Sequence, residues 1–150
     1  MNSKRVLNTP SPESRNAFFL PDNPAQLAQN HEMLVERAQR NSRAMRNACM
    51  ERLVPSLAAA LEAKHIWLFG SVARNEAMAD SDADILVEVG DRIAEDRFLD
   101  RMSLAYVARQ EARLPFACDI VTLSSEEIAE KLKTSNPFFH ELWKEKEILA

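Results

Sequence analysis

Apolar residues recur along this chain in two periods, and the change from one to the other marks out its elements. From Ala25 onward, Leu27, Leu34, Ala38, Met45, Cys49 and Leu53 fall on one helical face, with Arg37, Arg40, Arg43 and Arg46 largely off it. Pro55 is expected to end or kink that helix. Residues 57–63 continue as a second helical segment, which leads into a strand at residues 66–69. The apolar run Ile85, Leu86, Val87 predicts a second strand, and residues 116–123 a third. Between those two, residues 91–113 read as a long helix turning Ile93, Phe98, Met102, Ala105 and Tyr106 toward the sheet, with Pro115 at its end. Ser124 or Ser125 can cap a helix through Leu132, with Glu126 and Glu127 at the favourable end of its dipole. Asn136 and Pro137 open a last helix, whose Phe138, Phe139, Leu142 and Trp143 are expected in the core. Strands alternating with helices predict an α/β fold. Residues 1–24, with Pro10, Pro12, Pro21 and Pro24 among polar neighbours, read as an extended arm, loose or docked by Phe18, Phe19 and Leu20.

The chemistry concentrates between residues 67 and 89. The chain has two glycines, Gly70 and Gly90, and Gly70 stands where an apolar run meets a helix start. Glycine there allows the backbone to come close to a ligand. Ser71 is expected to cap a short helix over residues 72–77, whose N-terminal end would suit phosphates. Asp82 and Asp84 open the second strand on one face, while Ala83, Ile85 and Val87 point the other way. Two such carboxylates can grip one hard cation. Asp119 lies in the middle of the third strand, and a crossover through the long helix would set that strand beside the second. The residue types leave two readings of Asp119 open: a third metal ligand, or the structural partner of an arginine. Arg74 is similarly open between contacting phosphates and pairing with Glu76 or Asp80. His65 has no evident catalytic partner and reads as structural.

Composition narrows the class. A chain of 150 residues holds a single core. Its 23 acidic against 19 basic side chains argue against a general nucleic-acid binder, and so against templated polymerisation. Cys49 and Cys118 lack zinc-like spacing and read as reduced core thiols. No apolar run is long enough to span a membrane and no signal-peptide core opens the chain, which points to the cytoplasm.

Three segments, GSVAR, SDADILVEV and CDIVTL, occur in an order and at a spacing that resemble the nucleotidyltransferase superfamily that includes DNA polymerase beta. The likeness is closer to its minimal nucleotidyltransferases of the antitoxin type and spans about residues 50–147. Two departures stand out: Asn75 where many relatives have glycine, and residues 146–150 where they often carry a short glycine-containing strand. The resemblance implies a nucleotidyltransferase fold, a small mixed sheet flanked by helices, with residues 55–150 as the domain; residues 25–54 are a helical extension whose purpose the family pattern does not supply, with partner binding or dimerisation as the hypothesis for it. It implies that Asp82, Asp84 and Asp119 are catalytic and hold two magnesium ions, and that Gly70, Ser71 and Arg74 bind the triphosphate of ATP. The ions would neutralise the triphosphate and activate an incoming hydroxyl. Relatives commonly act as antitoxins of a HEPN ribonuclease, in studied cases by transferring AMP to a toxin tyrosine, which makes such a protein the expected acceptor. The rivals are a binding-only antitoxin without turnover and a small-molecule nucleotidyltransferase completed by a partner or a second copy.

Overall fold

The computed structural model describes residues 23–150, so residues 1–22 of the expected arm, Phe18, Phe19 and Leu20 included, lie outside the described residues. The chain divides after Leu34 into two compact units. In the described part of the first, Asn23 accepts the Gln26 N–H at the start of helix α1 (Pro24–Ala48). Leu27, Met33 and Leu34 are exposed there. Burial along the helical face thus begins at Ala38 rather than at Leu27.

In the second unit, Ala38, Ser42, Met45, Cys49 and Leu53 keep three- and four-residue spacing and are buried. The buried Ser42 hydroxyl is not wasted, since it accepts the Ala77 N–H at 3.0 Å. Pro55 does not stop the helical run, but regular α-helix gives way just before it. The chain widens into a π-helical turn at Cys49–Leu53 and continues as α2 (Val54–Leu61), with the proline in the first turn, where it is tolerated. Glu62 then closes α2 at φ 47°, its N–H returning to the Ala58 carbonyl.

Four strands follow: β1 (His65–Phe69), β2 (Ala83–Glu88), β3 (Cys118–Leu123) and β4 (Glu147–Ile148). They are ordered β3-β2-β1-β4. β1 runs antiparallel to β2 and β4, whereas β2 and β3 are parallel, as a helical crossover requires. The two-residue β4 supplies the last edge that residues 146–150 left open in the sequence. Period-two alternation sorts the sheet into two faces. Ile66, Leu68, Ala83, Ile85 and Val87 pack against Leu53, Leu57 and Leu61 of the first helices. Trp67, Phe69 and Leu86 pack on the opposite side against Ile128, Phe139 and Leu142. Each fully buried leucine or isoleucine stabilises the fold by about 1.5–3 kcal/mol.

The crossover departs from its sequence reading. It is two helices, α4 (Asp91–Ala94) and α5 (Phe98–Ala112), and α5 turns Arg101, Ala105, Ala108 and Ala112 inward. Of the residues expected against the sheet, Ile93 and Ala105 are buried, but Phe98, Met102 and Tyr106 are exposed. Small alanines let α5 lie close against its neighbours, and the buried Arg101 head is held by Glu127 through two bonds of 2.9 Å. A charge can be buried there because it is paired in a fork.

Of the two candidate caps it is Ser124 that caps α6 (Ser125–Lys133), and Glu127 completes a capping box with it, its N–H donating to the Ser124 hydroxyl and its carboxylate accepting the Ser124 N–H. Asn136 caps α7 (Pro137–Glu145) by accepting the N–H groups of Phe138 and Phe139. Phe139 and Leu142 are buried and Trp143 meets Trp67 edge-on at 5.3 Å, but Phe138 is exposed, against expectation. Both cysteines are buried free thiols; burial pushes Cys49 up to about 11 and Cys118 up to about 12.

Two outcomes follow for stability. A Cβ at Gly90 would stand 2.6 Å from the Glu62 carbonyl oxygen, so Gly90→Ala forces backbone apart. It should cost about 1–3 kcal/mol in a urea unfolding titration, whereas Ala at the exposed Glu130 should be near neutral. The second concerns acid. Arg101 first, then the Ser124 backbone N–H, draw the Glu127 carboxyl from its ordinary 4.5 down to about 2. Because the folded value is depressed, the stabilisation is complete above pH 4.5 and fades as pH falls toward 2. Thermal melts of Glu127→Gln should therefore lie below wild type at neutral pH by roughly 1 kcal/mol, discounted for the partial exposure of Glu127, and converge on it at pH 2.

Candidate active site

The register of β1, β2 and β3 assembles the acids. Phe69 pairs with Asp84, and Asp84 with Asp119, so the residue before Gly70 and two carboxylates lie side by side across three strands. In-register neighbours point to the same face, which puts Asp84 and Asp119 together although 35 positions separate them. Asp82 stands one residue before β2, exposed, and two before Asp84.

Gly70 is required here twice over. Its φ is 71°, in the left-handed region that disfavours side chains, and a Cβ would collide with the Asp84 carboxylate. The helix α3 that starts at Gly70 is shorter than expected, Gly70–Ala73 rather than residues 72–77. Ser71 lies inside it and caps nothing; Phe69 occupies the cap position without a side-chain bond. The chain then turns at Asn75, φ 62°, a left-handed conformation that asparagine tolerates. The asparagine thereby serves where many relatives have glycine. Arg46 fastens this turn, donating to the Val72 carbonyl at 3.1 Å and to Asn75 Oδ1 at 3.2 Å while pairing with Glu147. Of the arginine row, Arg46 is thus built into the framework and not a solvated face.

Electrostatically the acids are under mutual strain. Burial first, then the charges of Asp119 and Asp82, raise the Asp84 carboxyl above its ordinary value, with Arg74 opposing. Among the described residues none of the three carboxylates accepts a hydrogen bond or forms an ion pair. Arg109, the obvious structural partner for Asp119, instead donates to the Cys118 carbonyl at 3.1 Å and lies over the Tyr106 ring. An all-oxygen set of unpartnered carboxylates fits a hard divalent cation in charge and donor type. As placed, the described side chains are not drawn into a closed shell of three ligands.

Arg74 pairs with Glu76 at 2.9 Å and with Glu145 at 3.0 Å, and not with Asp80. Glu145 also accepts the Gly70 N–H at 3.1 Å. No sequence pattern near Gly70 announces Glu145, which arrives from the end of α7; its one signal is an acid at the helix end where the dipole favours a base. Beside Asp119, a cavity of about 190 Å³ is lined by Met102, Tyr106, Arg109 and Ile120. His65 bonds Glu88 at 2.7 Å and stacks on Trp67, away from these groups, as its structural reading requires. Among the described residues no helix is long and apolar enough to cross a membrane.

Comparison with known proteins agrees with this arrangement. The family described as Polymerase beta, Nucleotidyltransferase matches residues 51–145, which contain Gly70, Ser71, Arg74, Asp82, Asp84, Asp119 and Glu145. A crystal structure of a proposed nucleotidyltransferase from Sulfolobus solfataricus is similar in fold, with a TM-score of 0.50 and 22% identity, covering 77% of this chain and 85% of that one. No functionally curated protein matches the chain significantly. The glycine turn, the in-register acids and a family match over more than half the sequence lead to one conclusion: this chain belongs to the polymerase beta nucleotidyltransferase family.

Proposed function

We propose that the protein transfers AMP from ATP to a hydroxyl group of a partner protein, a HEPN-type toxin, and so acts as an adenylyltransferase antitoxin. The observation that carries nucleotidyl transfer is the in-register pair Asp84 and Asp119 beside the bare backbone of Gly70. Asp82, Asp84 and Asp119 would hold magnesium. When bound there, magnesium neutralises triphosphate charge and acidifies an acceptor hydroxyl. The Gly70 N–H and the Arg74 guanidinium would hold the outer phosphates, and the Ser71 hydroxyl would add a contact. Asp119, on the sheet edge and open to solvent, would receive the acceptor's proton as the hydroxyl oxygen bonds to the α-phosphorus and pyrophosphate leaves. Support for a macromolecular acceptor comes from the cavity at Asp119, which at about 190 Å³ is smaller than ordinary small-molecule sites yet large enough for a side chain presented from outside. ATP and the toxin rest on the resemblance of the motifs.

A binding-only antitoxin is favoured by one observation, that the acids are not closed into a shell as they stand. Mass spectrometry separates the two. Incubated with magnesium, each nucleoside triphosphate in turn and the partner, the protein should add one or more AMP units to that partner. Neutralisation without any mass change, retained by the triple asparagine variant at Asp82, Asp84 and Asp119, would establish binding alone.

The acids themselves can be tested apart from the partner's identity. Asp82→Asn with Asp84→Asn should abolish magnesium-dependent transfer of labelled AMP, and undiminished transfer would remove both from the mechanism. Asp84→Asn should also raise the melting temperature at neutral pH, by roughly 2–4 °C for about 1 kcal/mol in a domain of this size. The sign follows from the raised carboxyl: ionising it costs stability as pH climbs above 3.8, so the gain should vanish below that value.

A further inference from the structure

We infer that Glu145 is a built-in anion that occupies the phosphate position of the site and is exchanged for the nucleotide, so that α7 sets the affinity for the triphosphate. This rests on the proposed nucleotide-binding role of Gly70 and Arg74. Glu145 already makes the bonds a phosphate oxygen would make. Its Oε1 accepts the Gly70 N–H at 3.1 Å, and its two oxygens accept Arg74 Nη1 at 3.2 and 3.0 Å. A phosphate cannot take the same two donors while the carboxylate holds them.

The position is otherwise a poor one for an acid. Glu145 is the last residue of α7, where carbonyl groups of the helix end repel negative charge. Its charge also falls on Asp84, whose carboxyl it helps to raise. What keeps it there is the Gly70 N–H and Arg74 alone among the described residues, while its side chain is 27% exposed and can leave toward solvent. Attraction to two donors and repulsion from its own helix and Asp84 make a contact that is formed yet readily exchanged. A triphosphate neutralised by magnesium offers those donors several oxygens without repelling Asp84, and so displaces the carboxylate. Arg74 keeps its second partner, Glu76, at 2.9 Å throughout and stays aimed at the site. α7, which carries Glu145, is itself held on the sheet by Trp143 packed on Trp67 of β1.

Calorimetric titration of the full chain with each magnesium nucleoside triphosphate, and with inorganic tripolyphosphate, tests the exchange. Glu145→Gln keeps an acceptor for the Gly70 N–H and removes only the charge; it should bind tighter than wild type by about tenfold. Glu145→Ala should tighten at least as much, and in both variants tripolyphosphate should gain in parallel. Equal affinity in wild type and Glu145→Gln, or weaker binding by the variant, overturns the inference, the latter by showing that Glu145 orients Arg74 for the nucleotide. If tripolyphosphate tightens while no nucleoside triphosphate binds any form, the exchange stands and the nucleotide reading fails. If nothing binds wild type or variant, both fall.

Discussion

The close approach of the Asp84 carboxylate to the bare Cα of Gly70 constrains most of what surrounds it. A side chain at residue 70 would hold β1 and β2 apart or turn Asp84 away, and the positive φ there would resist one in any case. With glycine in place, Phe69 can pair with Asp84, the chain can turn at once into α3, and the Gly70 N–H is left to bond the Glu145 carboxylate. Everything proposed for this protein uses that one absent methyl group.

Electrostatics and packing pull against each other at this point. The sheet needs Ala83, Ile85 and Val87 in its core, which by alternation sends Asp84 to the other face with Leu86. Parallel pairing with β3 then adds Asp119 next to it, and Asp84 is charged only at a cost. Such a cluster is held by the framework around it. Arg46 clamps the turn after α3, and β4 closes the sheet on the far side of β1. A cation and a polyanion would relieve the strain from opposite directions, the first on the carboxylates and the second on Gly70 and Arg74.

The α5 crossover gives the acids a second kind of context. By turning its alanines and Arg101 inward, it leaves Met102 and Tyr106 outward beside Asp119 at the sheet edge. Asp119 is therefore approached from solvent past an apolar helix face, while the Gly70 turn is approached past α7. The two halves of the proposed reaction, acceptor and phosphate, enter from different elements.

Local chemistry alone determined a good part of this. The strands at Ile66, Ile85 and Ile120, the Ser124 and Asn136 caps and the thiol character of Cys49 and Cys118 follow from nearest-neighbour periodicity, hydrogen-bonding and apolar surroundings, which a sequence displays directly. Gly70, Asp82, Asp84 and Asp119 stand out in the sequence for the same reason: glycine and acids are out of place in apolar runs unless something needs them. Where the sequence misled, the deciding partner came from far away. Phe98, Met102 and Tyr106 look like a core face, but Glu127 offers Arg101 a fork-shaped ion pair and the alanines pack closer, so α5 rotates. Pro55 looks like a stop, but a π-helical turn absorbs it. Leu27 and Leu34 continue a helical stripe that burial joins only at Ala38. Arg46 carries no local signal, and Glu145 only that of an acid at a helix end, because their meaning lies in reaching Val72 and Gly70 across 26 and 75 positions, and only the tertiary structure brings them there.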